Sequence, residues 1–192
     1  MEIIMRLLIP LLAASLAACT SVSESTRLST GLEAVEFNSI ASGYQPRPTF
    51  VSLEMMSDGE EVLAIQMDQY GTTQYQYGYE MHHQFRMLPS AIPEYLALLD
   101  QYDRWRETAI ERGDAITREM GRAPAWHGEL KFEFHSGNAQ RHYLLVSICA
   151  VGTCLDGESL GFDSVNVDRL RQVLTDWQAG ELQSLNVDAI YN

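Results

Sequence analysis

Polar and apolar positions alternate along residues 49–56, Thr-Phe-Val-Ser-Leu-Glu-Met-Met, and again along 61–69. That period of two marks a half-buried strand. Ser57-Asp58-Gly59 separates the two runs, and a three-residue loop with Gly59 in the left-handed conformation sets Leu53 opposite Leu63 and Val51 opposite Ile65. After Tyr70-Gly71, a third run from Thr73 to Met81 carries Tyr75, Tyr77, Tyr79 and Met81 on one face, completing an expected meander. From Ile92 the period changes to that of a helix. Tyr95, Leu98, Leu99, Tyr102, Trp105 and Ala109 form its apolar stripe, while Asp100, Asp103 and Glu107 lie on other faces. Gly113-Asp114 is read as a break before a shorter helical piece ending at Gly121.

Residues 128–135 and 141–150 read as a hairpin around Gly137-Asn138, whose second strand is apolar enough to be central. A last helix over 167–179 turns Leu170, Val173, Leu174 and Trp177 inward and stops at Gly180. The pattern predicts an α+β domain over residues 32–192: a mainly antiparallel sheet of about five to seven strands, with two main helices packed on one face.

Composition narrows the function classes more than it names one. The 192 residues are 46% hydrophobic, and 26 acidic against 13 basic side chains give a net charge of −13, which argues against a surface that captures nucleic acid. Lys131 alone among the 13 cations is a lysine. No phosphate loop or dinucleotide motif is present, and nothing in the sequence calls for a cofactor.

The N-terminus carries an address. Arg6 precedes the apolar run Leu7 to Leu16, about half the roughly 20 residues that a spanning helix needs, and small residues close it. The junction Leu16-Ala17-Ala18-Cys19 resembles the lipobox of bacterial lipoproteins. That resemblance implies a signal peptide over 1–18 and lipidation of Cys19 as the mature N-terminus. With Thr20 rather than aspartate next, it also implies an outer-membrane anchor on the periplasmic face. Residues 19–31, rich in serine and threonine and closed by Gly31, read as a flexible tether.

Export makes Cys149 and Cys154 a disulfide pair, since a turn at Val151-Gly152 sets them opposite each other in an oxidising compartment. Gly157-Glu158-Ser159-Leu160-Gly161 matches the G-x-S-x-G of serine hydrolases, but no histidine follows His142 and no helix follows directly, so Ser159 is read as an ordinary loop residue. In the register of a Gly137-Asn138 turn, Glu133 lies opposite His142 with His135 diagonal on the same face, a weak candidate metal trio. Tyr75, Tyr77 and Tyr79 are a candidate binding surface. The sequence thus predicts an anchored envelope protein whose domain binds an envelope protein or cell-wall partner, with no catalytic residues assigned. An envelope hydrolase or metal-dependent enzyme is the alternative.

Overall fold

The computed structural model describes residues 20–68, 82–138 and 140–185. In chain order the elements are β1 (Val22–Arg27), β2 (Ala34–Asn38), β3 (Gly43–Arg47), β4 (Thr49–Met56), β5 (Glu61–Asp68), β6 (His82–Met87), α1 (Ile92–Arg112), β7 (Ile116–Pro124), β8 (Glu129–Asn138), β9 (Arg141–Ala150), β10 (Thr153–Cys154), β11 (Leu160–Asp163) and α2 (Ser164–Ala179). They make two antiparallel sheets. One has the order β1-β4-β5-β6; the other runs β3-β2-β11-β9-β8-β7, with β10 added on β9. The domain is therefore α+β with two main helices, as the periodicity predicts, but the eleven strands among the described residues are divided between two sheets.

The β4–β5 hairpin keeps the predicted register, Leu53 opposite Leu63 and Val51 opposite Ile65, with Gly59 left-handed at φ 90°. That register puts Val51, Leu63, Ile65 and Met67 into one core with Phe85 and Met87 of β6. On the larger sheet the inward set is Leu130, Phe132 and Phe134 of β8, Leu144 and Val146 of β9, and Leu160 and Phe162 of β11, all essentially without exposed surface. α1 packs on β7 and β8, while α2 packs on β9 and β11. Burying these large apolar side chains is the main favourable contribution to the fold, about 1.5 to 3 kcal/mol for each.

Polar groups then fix how the helices sit. The hydroxyl of Tyr95 accepts from the Leu88 amide at 3.0 Å and donates to the Pro124 carbonyl, and burial pushes its pKa up to about 12. Tyr102 donates to the His142 carbonyl at 3.1 Å, and burial raises its pKa as well. Arg171 of α2 grips Asp100 and Asp103 of α1 with two nitrogens, at 2.5 and 2.6 Å. The acidic stripe that looks free in the sequence is thus a helix clamp. Trp177 donates to Glu61 at 2.9 Å, tying α2 to the four-stranded sheet. Both helices end as the glycine signal requires, with Gly113 and Gly180 left-handed at φ 68° and 72°.

Three expectations need correction. Residues 22–27, expected to be tether, are an edge strand on β4. All six side chains are exposed, so composition carries no sign of a strand whose stability comes from backbone hydrogen bonds and a stack of Arg27 on Phe50. Residues 116–124, expected to be helical as far as Gly121, form β7, because the exposed backbone of β8 offers them a full ladder. The β8–β9 turn lies beyond Gly137-Asn138. A bulge between Ser136 and Asn138 lets β8 run on and pairs Ser136, not Glu133, with His142.

Candidate functional site

The outer face of the seven-stranded sheet is built by alternation. Facing away from the helices are Lys131, Glu133 and His135 of β8, Tyr143 and Leu145 of β9, Gly161 of β11, Val35 and Phe37 of β2, and Tyr44 of β3. Gly161 draws the strands together. A Cβ there would stand 2.8 Å from the Val35 carbonyl oxygen and 3.0 Å from its side chain.

The rings meet on this face. Tyr44 and Tyr143 lie 4.1 Å apart between centroids, Phe37 meets Tyr44 edge-on at 5.5 Å, and His135 stands 5.6 Å from Tyr44. Phe37 is 56% exposed, and Ile40 at the tip of the β2–β3 hairpin is 96% exposed. Asn38 braces that tip by accepting from the amides of Ile40 and Ala41, each at 2.9 Å. On the other side of this hairpin, where Glu36, Gln45 and Arg47 alternate with the rings, those three residues line a cleft of about 200 Å³, with Arg47 3.0 Å from Glu36.

Charges surround the rings. Lys131 is 7% exposed, with its Nζ 2.6 Å from Asp156 and 3.7 Å from Glu133. A buried ammonium requires such partners. Glu119 and Glu133 pair directly across β7 and β8, an arrangement offset by Arg122 on Glu119 at 2.9 Å and Lys131 on Glu133. His135 shares a 2.8 Å hydrogen bond with Thr117.

The predicted metal trio is not brought together. Glu133 and His135 do share the outer face, but the bulge sends His142 through to the inner face, where it is 6% exposed and parallel to Phe134 at 6.1 Å. Neither ring nitrogen of His142 has a hydrogen-bond partner among the described residues. No group of three metal-competent side chains occurs among those residues either. Ser159 stands in extended backbone between a short 3-10 turn and β11, so the G-x-S-x-G lies at a coil-to-strand junction rather than at a strand-to-helix elbow. Tyr75, Tyr77, Tyr79 and Cys19 lie outside the described residues.

Cys149 and Cys154 are bridged, with their strands in the expected pairing across Val151 and Gly152. Both turn residues have positive φ, 50° and 79°, the conformation of a tight hairpin turn and an uncommon one for a β-branched valine. Closing so short a loop contributes about 2 kcal/mol on the chain-entropy treatment.

Sequence reasoning missed the aromatic cluster. Phe37 and Tyr143 are more than a hundred positions apart, with Tyr44 on a third strand, so no local period joins them. The signal within reach was Phe37-Asn38 and Gly43-Tyr44 flanking the short segment Ser39-Ile40-Ala41-Ser42, a hairpin with an aromatic at each neck.

Two histidines should make the fold sensitive to acid. Burial lowers the pKa of His83 below the usual 6.5, against the opposing pull of Glu158 and Glu36, and burial lowers His135 against Glu133. In the unfolded chain both imidazoles take protons first as pH falls, so their share of stability is present above about pH 6.5 and lost as pH drops through the folded values. Denaturation midpoints should fall between about pH 7.5 and about pH 5, and His83→Gln together with His135→Gln should flatten that slope. An unchanged slope in the double variant would assign the acid sensitivity to other groups.

No family model matches the chain, and neither a curated protein nor a solved structure matches it.

Proposed function

We propose that this chain is a lipid-anchored envelope protein, held to the periplasmic face of the outer membrane through Cys19. Its domain binds a partner protein through the aromatic outer face of the seven-stranded sheet and catalyses nothing. The observation that carries the reading is the cluster of Phe37, Tyr44, Tyr143 and His135 on the face opposite both helices. Aromatic rings inside a charged rim are the composition of an interface centre.

The rim specifies the partner's chemistry. Glu119, Glu133 and Asp156 face Lys131 and Arg122, and the whole chain is strongly acidic, so the complementary surface is apolar with a basic margin. The alternative of a metal-dependent hydrolase loses its support once His142 lies on the other side of the sheet from Glu133 and His135.

Phe37→Ala tests the reading cleanly, because a ring that is already 56% exposed contributes little to the core. The variant should keep its unfolding free energy within about 0.5 kcal/mol of the parent. Recovery of the crosslinked partner from intact cells should fall roughly tenfold or more, as for a central aromatic contact. Unchanged recovery with unchanged stability would remove the face as the binding surface.

A further inference from the structure

We infer that the domain is seated directly on the membrane surface in a fixed orientation, with the β4–β5 turn toward the lipid headgroups, rather than carried on a leash. The inference rests on the reading of Cys19 as the lipidated residue. Its physical basis is how early the fold takes hold of the chain. The Ser21 amide donates to the Ser57 hydroxyl at 3.1 Å, the Ser21 carbonyl accepts from the Ser57 amide at 2.8 Å, and Ser23 donates to the Met55 carbonyl at 2.9 Å. From Val22 onward the chain is paired with β4, Val22 opposite Met56.

Two residue steps separate Cys19 from Ser21, and extended chain spans at most about 7 Å over that length. A lipid on Cys19 therefore brings Ser57 and the turn through Glu60 to the headgroup layer, whatever path Cys19 and Thr20 take. β1 and β4 are antiparallel, so the chain enters at the end of β4 and the other sheet joins at its start. There Arg47 ends β3, and Ala34 of β2 donates to the Thr49 hydroxyl at 2.7 Å. β4 has eight residues, which places Pro48 roughly 30 Å from Ser57 along the strand. The anchor thus points one end of the four-stranded sheet at the bilayer and sets its junction with the seven-stranded sheet a strand's length away.

The membrane-facing end is not adhesive by itself. Ser57, Asp58 and Glu60 are exposed there and none is a cation, so this turn offers anionic headgroups no attraction and the inference assigns the affinity to the covalent lipid.

The test uses the full lipidated chain in vesicles of phosphatidylethanolamine and phosphatidylglycerol containing a nitroxide-headgroup quencher. A fluorophore is attached at Glu60→Cys in one protein and at Pro48→Cys in another. Quenching should be several-fold stronger at position 60 than at position 48. Inserting about twelve Gly/Ser residues between Thr20 and Ser21, a coil of roughly 20 Å, should bring the two values together. Cys19→Ser protein, lacking lipid, should not bind the vesicles. Equal quenching in the parent, with mass spectrometry confirming lipid on Cys19, overturns the seated orientation and leaves the anchor standing. Absence of lipid on Cys19 overturns the anchor reading and this inference together.

Discussion

Gly128→Ala should remove a large part of the domain's stability. Gly128 has φ 88°, a conformation in which an alanine is strained, and a Cβ there would fall 2.1 Å from the Cys149 carbonyl oxygen and 3.2 Å from its carbon. Backbone cannot yield as a side-chain end can. The neighbouring residues also hold the two sheets together: the Ala125 amide donates to the Gly128 carbonyl at 3.0 Å, the Trp126 amide to the Arg86 carbonyl at 3.1 Å, and Ala125 bridges Met87. A strained left-handed residue and an overpacked contact together cost roughly 3 to 5 kcal/mol. That is a large part of the 5 to 15 kcal/mol typical of a whole domain, at about 1.4 kcal/mol per tenfold in population. Gly137→Ala is the matched control. Its nearest neighbour to a new Cβ is 3.7 Å away, and its φ is outside the strained range, so it should change stability by less than about 1 kcal/mol. Urea midpoints of the two variants measure both effects. Similar midpoints would mean that β8 and β9 do not approach at Gly128 as closely as described.

Cys19→Ser is expected to be all or none. Without the thiol there is no lipid attachment, so the precursor should remain uncleaved or the protein should fractionate away from the outer membrane. The domain itself should fold as before, because Ser21 and β1 bind β4 through their own hydrogen bonds, which the substitution leaves in place. Sucrose-gradient fractionation with a radiolabelled fatty acid checks both halves. Labelled Cys19→Ser protein in the outer-membrane fraction would show that another residue carries the anchor.

The parts of this fold that were legible in the sequence are those in which side chains do the ordering. Leu53 and Leu63 face each other because a period of two and a left-handed Gly59 leave one register that buries Leu63 and packs a half-buried Leu53 against the core. Likewise Leu170, Val173, Leu174 and Trp177 are buried on α2 because their spacing matches one helical stripe. The disulfide followed from a two-residue turn that aligns Cys149 with Cys154. What escaped is ordered by backbone. β1 buries no side chain, and β7, Ile-Thr-Arg-Glu-Met-Gly-Arg-Ala-Pro, has several good helix formers, yet each is drawn into a sheet by a neighbour's free ladder. β2 and β3 are five residues each, too short for alternation to stand out.

The candidate site divides the same way. Placing Glu133 and His135 on one face needed only the strand period, whereas placing His142 needed the bulge at Gly137, and one such insertion reverses the face of every residue beyond it. The rings of the outer face needed the strand order itself, since β3 reaches β9 only through β2 and β11.

The proposed binding face can be examined directly in living cells by placing a photoreactive amino acid at position 37 on the outer face or at position 178 on the helix side. Illumination at position 37 should yield one discrete protein adduct, with crosslinked peptides rich in lysine or arginine near an apolar contact. That adduct should be lost when Tyr143→Ala is added, and position 178 should give none. Equal adducts from both positions, or a cell-wall fragment as the product at position 37, would contradict a protein partner bound through the aromatic face.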